Sequence, residues 1–283
     1  MKKSNKYLSK VLKRLSRLDF SKYRRGYFNQ IGVLNRIPFE IFDLEPTSSN
    51  YVYRAVINKP NTHYETISRI AFNPNPKSIS RANLKGQAVA YYACDYDIAL
   101  IEACHDTLST TSKRIFELTV SKWKIQKKIA VQIINSSSLA QNAGTDLNLY
   151  YAKCRLKQLT TLPKKKYRTW YLKTKFMAEQ FAKEISSEKD YYITARYSNQ
   201  LLKKTKAKGI IYPSIRYLYK GFNYAFSPCL FKDNSLQLEE ISEYKVFFDK
   251  NDITKYPTII RQNSTSYFDA VSYTHLTLPT IRL

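Results

Sequence analysis

The sequence predicts an α+β fold. Short segments with strand patterning recur through the chain, helix-period apolar faces fall between them, and core material is plentiful. Of the 283 residues, 43% are apolar and 14% aromatic, with only six Gly and ten Pro. That balance excludes a disordered tail or a low-complexity linker. No run approaches the roughly 18 consecutive apolar residues of a membrane-spanning helix, and the basic N-terminus is not followed by an uninterrupted signal-peptide core. The expectation is a soluble, cytoplasmic protein with no membrane partner.

Leu8, Val11, Leu12, Leu15 and Leu18 recur at helical spacing, with Lys10, Lys13, Arg14 and Arg17 between them, and predict a basic amphipathic helix. A docked helix with a solvated basic face is favoured over a nucleic-acid or membrane-surface arm. The turn-rich Pro46-Thr47-Ser48-Ser49-Asn50 closes residues 1–50 as an N-terminal extension, and Tyr51-Val52-Tyr53-Arg54-Ala55-Val56 then alternates as a strand. Ala88 to Cys94 is short and apolar enough for a buried strand. Asp95 then offers an N-cap for a helix through about His105. On that helix Ile98, Ile101, Glu102 and His105 share a face expected to look inward.

Phe116 to Val120 and Ile129 to Ile134 read as strands, and residues 135–144 as a surface loop. Phe176, Met177, Phe181 and Ile185 make a helix face within a basic helical insertion at about 145–190, and Leu201-Leu202 belongs to a further helix. Gly209-Ile210-Ile211-Tyr212-Pro213 is a strand punctuated by Gly and Pro, and Phe222 to Phe226 and Tyr244 to Phe248 are two more. Residues 232–270 form a C-terminal strand and tail of the domain that begins at 51. Residues 271–283, with Ser272-Tyr273-Thr274-His275-Leu276-Thr277-Leu278-Pro279-Thr280, resemble the translation of sequencing-adapter DNA and are expected to be a scar outside the fold, so His275 carries no functional weight.

The 47 Lys+Arg against 22 Asp+Glu give a formal charge of +25. Residues 1–25 hold ten Lys/Arg and one acid, and residues 153–175 hold nine Lys/Arg and none. Cations interleaved with 24 Tyr are what a nucleic-acid surface needs, and nucleic acid stays an open partner for these two segments. The excess of 32 Lys over 15 Arg is also what an AT-rich genome writes by codon bias. Cys94, Cys104, Cys154 and Cys229 form no C-x-x-C pair, and only His105 lies near one of them, so no zinc site is expected. Scattered free thiols are favoured over a catalytic cysteine.

No G-x-S-x-G, Walker-type, dinucleotide-binding or H-E-x-x-H motif is present. Polar residues that are expensive to bury stand out instead: Arg54 on the first strand, Arg81 before the second, Glu102 on the helix, and Ser214 just after Pro213. An Arg and a Glu facing one core most often form a structural ion pair. The functional alternative is a pocket where guanidinium groups hold a phosphorylated ligand and a carboxylate acts on its sugar.

At these residues the sequence resembles the RES-domain family, named for an Arg, a Glu and a Ser. Tyr53-Arg54 is similar to its aromatic-Arg strand, and Arg81-Ala82-Asn83-Leu84-Lys85-Gly86 with Ala90-Tyr91-Tyr92-Ala93 to its G-R-x-N-x-x-G segment and following strand. Ala99-Leu100-Ile101-Glu102 resembles the A-x-x-E helix, and Gly209-Ile210-Ile211-Tyr212-Pro213-Ser214 with Asn223 and Phe226 the downstream G-I-x-Y-x-S and Asn-containing pattern. The four pieces stand in order over residues 51–231. Ser80 replaces the Gly before the first motif Arg, Ala195 stands where the family often has Gln, and Ile215 replaces a common second Ser.

The resemblance implies a mixed β core with flanking helices, similar to the ADP-ribosyltransferase toxins, and an NAD-degrading enzyme acting as the toxin of a toxin-antitoxin pair. It implies transfer of ADP-ribose to phosphate or water, with protein ADP-ribosylation as an alternative, NAD as substrate, inorganic phosphate as co-substrate and no resident cofactor or metal. Glu102, Arg54 and Arg81 are the implied catalytic set, and Tyr91, Ser214 and Asn223 the implied substrate contacts. An acidic antitoxin is the implied protein partner.

Overall fold

The computed structural model describes residues 5–18, 31–32, 34, 41–48, 50–59, 67–135, 146–185, 187–249 and 257–265. Among them are nine strands and seven α-helices, so the α+β expectation holds. The loop expected at 135–144 lies almost wholly outside the described residues, as do residues 271–283. The chain forms two compact units, each discontinuous in sequence. One comprises Met1–Leu44, Pro74–Val89 and Ile129–Ser227, and the other Glu45–Asn73, Ala90–Lys128 and Pro228–Leu283. Residues 51–231 are therefore divided between both.

The first unit joins four strands in the order β1 (Phe42–Leu44), β5 (Ile129–Ile133), β6 (Gly209–Pro213) and β7 (Phe222–Phe226). β5 and β6 are parallel and the flanking pairs antiparallel, which makes this sheet mixed. β6 is buried at every position, which is why it reads as a continuous apolar run and not as an alternation. Gly209 opens it for a steric reason. A Cβ there would stand 2.5 Å from Cδ1 of Phe226, whose ring is completely buried and has no room to retreat.

The helices of this unit are α1 (Asn5–Leu15), α4 (Asp146–Thr161), α5 (Lys164–Phe181) and α6 (Tyr192–Lys204), the last preceded by a 3₁₀ turn (Glu188–Tyr191). The helix expected from Leu8 to Leu18 runs Asn5–Leu15, and Leu8, Leu12 and Leu15 are its buried stripe. α1 packs on α5, where Thr169 Oγ1 donates to Asn5 Oδ1 at 2.6 Å, so its leucine stripe is docked as expected. Phe176, Met177 and Phe181 line the buried side of α5, as the sequence predicts, whereas Ile185, expected on the same face, lies beyond the helix end; Lys173, only 2% exposed, joins the buried side. Its ammonium lies 5.2 Å from the Tyr197 ring centre. Burial lowers its pKa from 10.5 to about 7.

In the second unit five antiparallel strands run in the order β3 (Ala90–Ala93), β2 (Tyr51–Ile57), β4 (Ile115–Ile125), β8 (Leu236–Phe247) and β9 (Thr258–Thr265). β4 and β8 extend well beyond the segments 116–120 and 244–248, because polar residues such as Ser121, Lys122 and Lys124 interrupt the apolar runs that mark strands in sequence. Asp95 caps α3 (Tyr96–Thr110), accepting from the Asp97 N–H at 2.8 Å, and the helix continues a turn past His105. α2 (Ile67–Ala71) packs on β2 and β4, and α7 (Cys229–Lys232) on β8. Leu100, Cys104 and Leu108 of α3 close the core over Phe116, Leu118, Val120, Val246 and Phe248. Fully burying each large apolar side chain contributes about 1.5–3 kcal/mol.

Two outcomes are expected. Gly209→Ala forces Phe226 from its site and should destabilise the protein by about 1–3 kcal/mol, read as a lower denaturant midpoint. For Lys173 the folded pKa lies below the unfolded one, so between about pH 7 and pH 10 the unfolded chain binds more protons and stability rises with pH, while below pH 7 the burial penalty is fully present. Lys173→Met should remove that rise, flattening the difference in unfolding free energy between pH 7 and pH 9.5 by up to about 3 kcal/mol.

Candidate functional site

The six sequence-predicted residues divide equally: Arg54, Tyr91 and Glu102 belong to the second unit, and Arg81, Ser214 and Asn223 to the first. In the second unit, antiparallel pairing puts Tyr53 opposite Ala93, which brings half-buried Arg54 alongside β3. Its Nη1 donates to the Tyr91 carbonyl at 3.0 Å. Tyr91 and Tyr92 then separate by function. Tyr92 is 3% exposed, its hydroxyl donates to the Ala71 carbonyl at 3.1 Å, and its ring packs 6.2 Å from Trp123 and 6.4 Å from Phe231. Burial raises the Tyr92 pKa well above the ordinary phenol value, against a smaller lowering by the Arg54 charge. Tyr92 is core, whereas Tyr91 is half-buried.

α3 corrects one expectation. The face of Ile98, Ile101, Glu102 and His105 was expected to look inward, but the stripe that meets the sheet is Leu100, Cys104 and Leu108 at i, i+4 and i+8. Only the first turn buries Ile98 as well. The His105 side chain is 47% exposed, with Nδ1 3.6 Å from Asp106 Oδ1, and Glu102 is half-buried on the flank of the helix. Half-buried Glu102 thus sits on a helix that packs against β2, the strand carrying Arg54. On the same helix, burial pushes the Cys104 thiol up to about 12, which makes it a packing residue and not a nucleophile. Cys94, Cys104 and Cys229 are not in disulfides.

In the first unit Arg81 rides on a constructed loop. Asn83 is 2% exposed, and its Nδ2 donates to the Ser78 and Leu84 carbonyls at 3.2 and 3.0 Å. The Ile79 N–H donates to Glu188 Oε2 at 3.2 Å, which ties the loop to the 3₁₀ turn. Gly86, at φ +73°, takes the left-handed conformation that closes the segment. So held, Arg81 donates to the Phe181 carbonyl at the C-terminal end of α5 and lies over the Tyr191 ring, 5.0 Å from its centre. A cation at the negative end of a helix dipole is favourable.

Ser214 is fully buried and anchors the turn between β6 and β7. Its N–H donates to the Gly221 carbonyl at 2.9 Å, its Oγ accepts from the Tyr217 N–H at 3.3 Å, and its carbonyl accepts from the Tyr219 N–H at 2.8 Å. Leu218 and Tyr219 occupy the left-handed region at φ 51° and 62°, a strained pair for non-glycine residues. The turn aims the Tyr219 hydroxyl at the Ala182 carbonyl, 3.3 Å away. Its pKa is raised by burial and then by the Glu184 charge, against a lowering by Arg81. Asn223 is 7% exposed and pairs with Tyr212, whose ring lies 5.3 Å from that of Phe181.

In the first unit Arg81 and Tyr219 meet the end of α5, while Ser214 holds the turn that carries Tyr219 and Asn223 pairs with Tyr212. Sequence reasoning missed Tyr191 and Tyr219, because their relation to Arg81 crosses more than a hundred residues and depends on positive φ angles that no local pattern announces. Among the described residues, no group of three or more His, Cys, Asp or Glu is placed to hold a metal ion. No protein-family model matches the chain, and no curated protein matches it.

The separation of the two tyrosines is measurable. Tyr92→Phe leaves the buried Ala71 carbonyl without its donor and should cost about 1–2 kcal/mol in denaturant unfolding. Tyr91→Phe, at a half-buried position, should cost less than Tyr92→Phe.

Proposed function

We propose that the protein is an NAD-consuming enzyme that breaks the bond between nicotinamide and ribose and passes ADP-ribose to inorganic phosphate or water. The observation that carries this reading is the second unit's arrangement: Arg54 is fixed on β2 by its bond to the Tyr91 carbonyl, and the helix packed on that strand carries Glu102 on a partly solvated flank. The ordered resemblance of residues 51–231 to the RES-domain family supports it, as does the agreement of an α+β architecture with what that resemblance implies. The likeness to ADP-ribosyltransferase toxins, a toxin role and an acidic antitoxin partner belong to the same proposal.

The chemistry suits these side chains. As the C1′–N bond breaks, its electron pair leaves with nicotinamide and positive charge develops on the ribose. A carboxylate beside the sugar stabilises that charge, the role assigned to Glu102. A phosphate oxygen or water then forms the new bond at C1′; water gives up a proton to solvent in doing so. Arg54 is the cation assigned to pyrophosphate or the incoming phosphate, its guanidinium fixed by the bond to the Tyr91 carbonyl. Tyr91 is assigned to packing against the ligand, and the roles of Arg81, Ser214 and Asn223 as ligand contacts come from the resemblance alone.

Incubation of the purified protein with NAD, with and without phosphate, should release nicotinamide, and chromatography of the products identifies the acceptor. Radiolabel from NAD retained on protein would instead mark protein as acceptor. Glu102→Gln preserves volume and removes the charge, so turnover should fall at least about 100-fold with an unchanged unfolding midpoint. A folded wild-type sample that leaves NAD intact under both conditions refutes the reading.

A further inference from the structure

Independently of the NAD reading, we propose that the exposed face of α1 docks on the phosphate backbone of duplex nucleic acid without regard to base sequence. Lys6, Lys10, Lys13 and Arg14 are exposed on α1, and Arg17 is exposed in the turn that follows, where its N–H donates to the Arg14 carbonyl at 3.1 Å. At 100° per residue these five cations fall within about 100° of arc, opposite Leu8, Leu12 and Leu15. Residues 5–18 contain no Asp or Glu to neutralise them. Lys10, Lys13, Arg14 and Arg17 line a surface groove of about 340 Å³ together with Leu18.

Three partner classes meet this face differently. A membrane-surface helix inserts its apolar side into the lipid, but here that side is already spent: Leu8, Leu12 and Leu15 are buried and the helix is docked on α5. Protein interfaces centre on apolar and aromatic anchors and are depleted of charge at their core, and on this helix the only exposed large hydrophobic side chain is Tyr7. A phosphate backbone needs closely spaced cations and no apolar centre. From Lys6 to Arg17 the helical path advances about 16 Å, one cation per about 4 Å, against one phosphate per about 3.4 Å along each strand of a duplex. The bond from Thr169 to Asn5 sets the start of α1 beside α5, where Lys165, Lys166 and Arg168 are exposed and extend the same positive field.

Fluorescence anisotropy with a labelled 20-base-pair duplex, in DNA and RNA forms, and with the matching single strands tests this across 50–300 mM KCl. The wild type should bind both duplexes, whatever their sequence, with a log–log salt slope of about −4. Lys10→Gln with Lys13→Gln should reduce the slope by about 2 and weaken binding at 100 mM salt at least about 10-fold. Lys203→Gln with Lys204→Gln removes the same charge from exposed positions on α6 and should stay within about twofold of wild type. Equal losses in the two double variants would make binding a property of bulk charge and overturn the proposal. So would the absence of duplex binding at 50 mM salt, tighter binding to single strands than to duplex, or competition by polyglutamate as effective per charge as duplex, which would assign the face to an acidic protein.

Discussion

The first unit depends on how the C-terminal end of α5 is closed. The last carbonyls of a helix have no partner within it, and an apolar surrounding makes them costly to leave bare. Here Arg81 donates to Phe181 and Tyr219 to Ala182, so one helix end gathers a loop from before β3 and a turn from after β6. The two donors reach it by different means. Arg81 is delivered by the Asn83-pinned loop, and Tyr219 by a turn that accepts two left-handed residues. The strain of that turn is offset by the bonds converging on completely buried Ser214.

How legible the fold was depended on punctuation. β6 and β7 match the sequence reading residue for residue because Gly209 and Pro213 bound the first and Phe222, Tyr224, Ala225 and Phe226 dominate the second. β4 and β8 were recognised only in part. They are long strands whose polar positions alternate, and short-window reading keeps only their apolar stretches. On α3 two apolar stripes compete, and the sequence offers no means of ranking Ile98 and Ile101 above Leu100, Cys104 and Leu108. The sheet ranks them by offering Phe116, Leu118 and Val246 to the latter. The candidate site was legible as residue types in order and illegible as supports, since Tyr191, Tyr219 and the α5 carbonyls enter only through tertiary contact.

Charge shows the same division between composition and placement. The excess of cations looks compositional, and the 51–110 stretch carrying Arg54, Arg81, Tyr91 and Glu102 holds six Lys/Arg against five acids. Folding nevertheless sorts the surplus: Lys173 is drawn inside, where it titrates near neutrality, while the cations of α1 all face outward because its leucines face α5. One helix thus carries an apolar docking stripe and a charged exterior on opposite sides.

The pairing of β4 also bears on synthesis. β2 becomes available before it in the chain, but β8, which covers its other edge, begins about 110 residues after β4 ends. At ribosomal rates of about 5–20 residues per second, that edge waits roughly 5–20 s for its partner. An eleven-residue strand with open backbone donors and acceptors is a template for intermolecular pairing. Lys122 and Lys124, which obscured the strand in sequence, place like charges along that waiting edge and make its self-association unfavourable until β8 arrives.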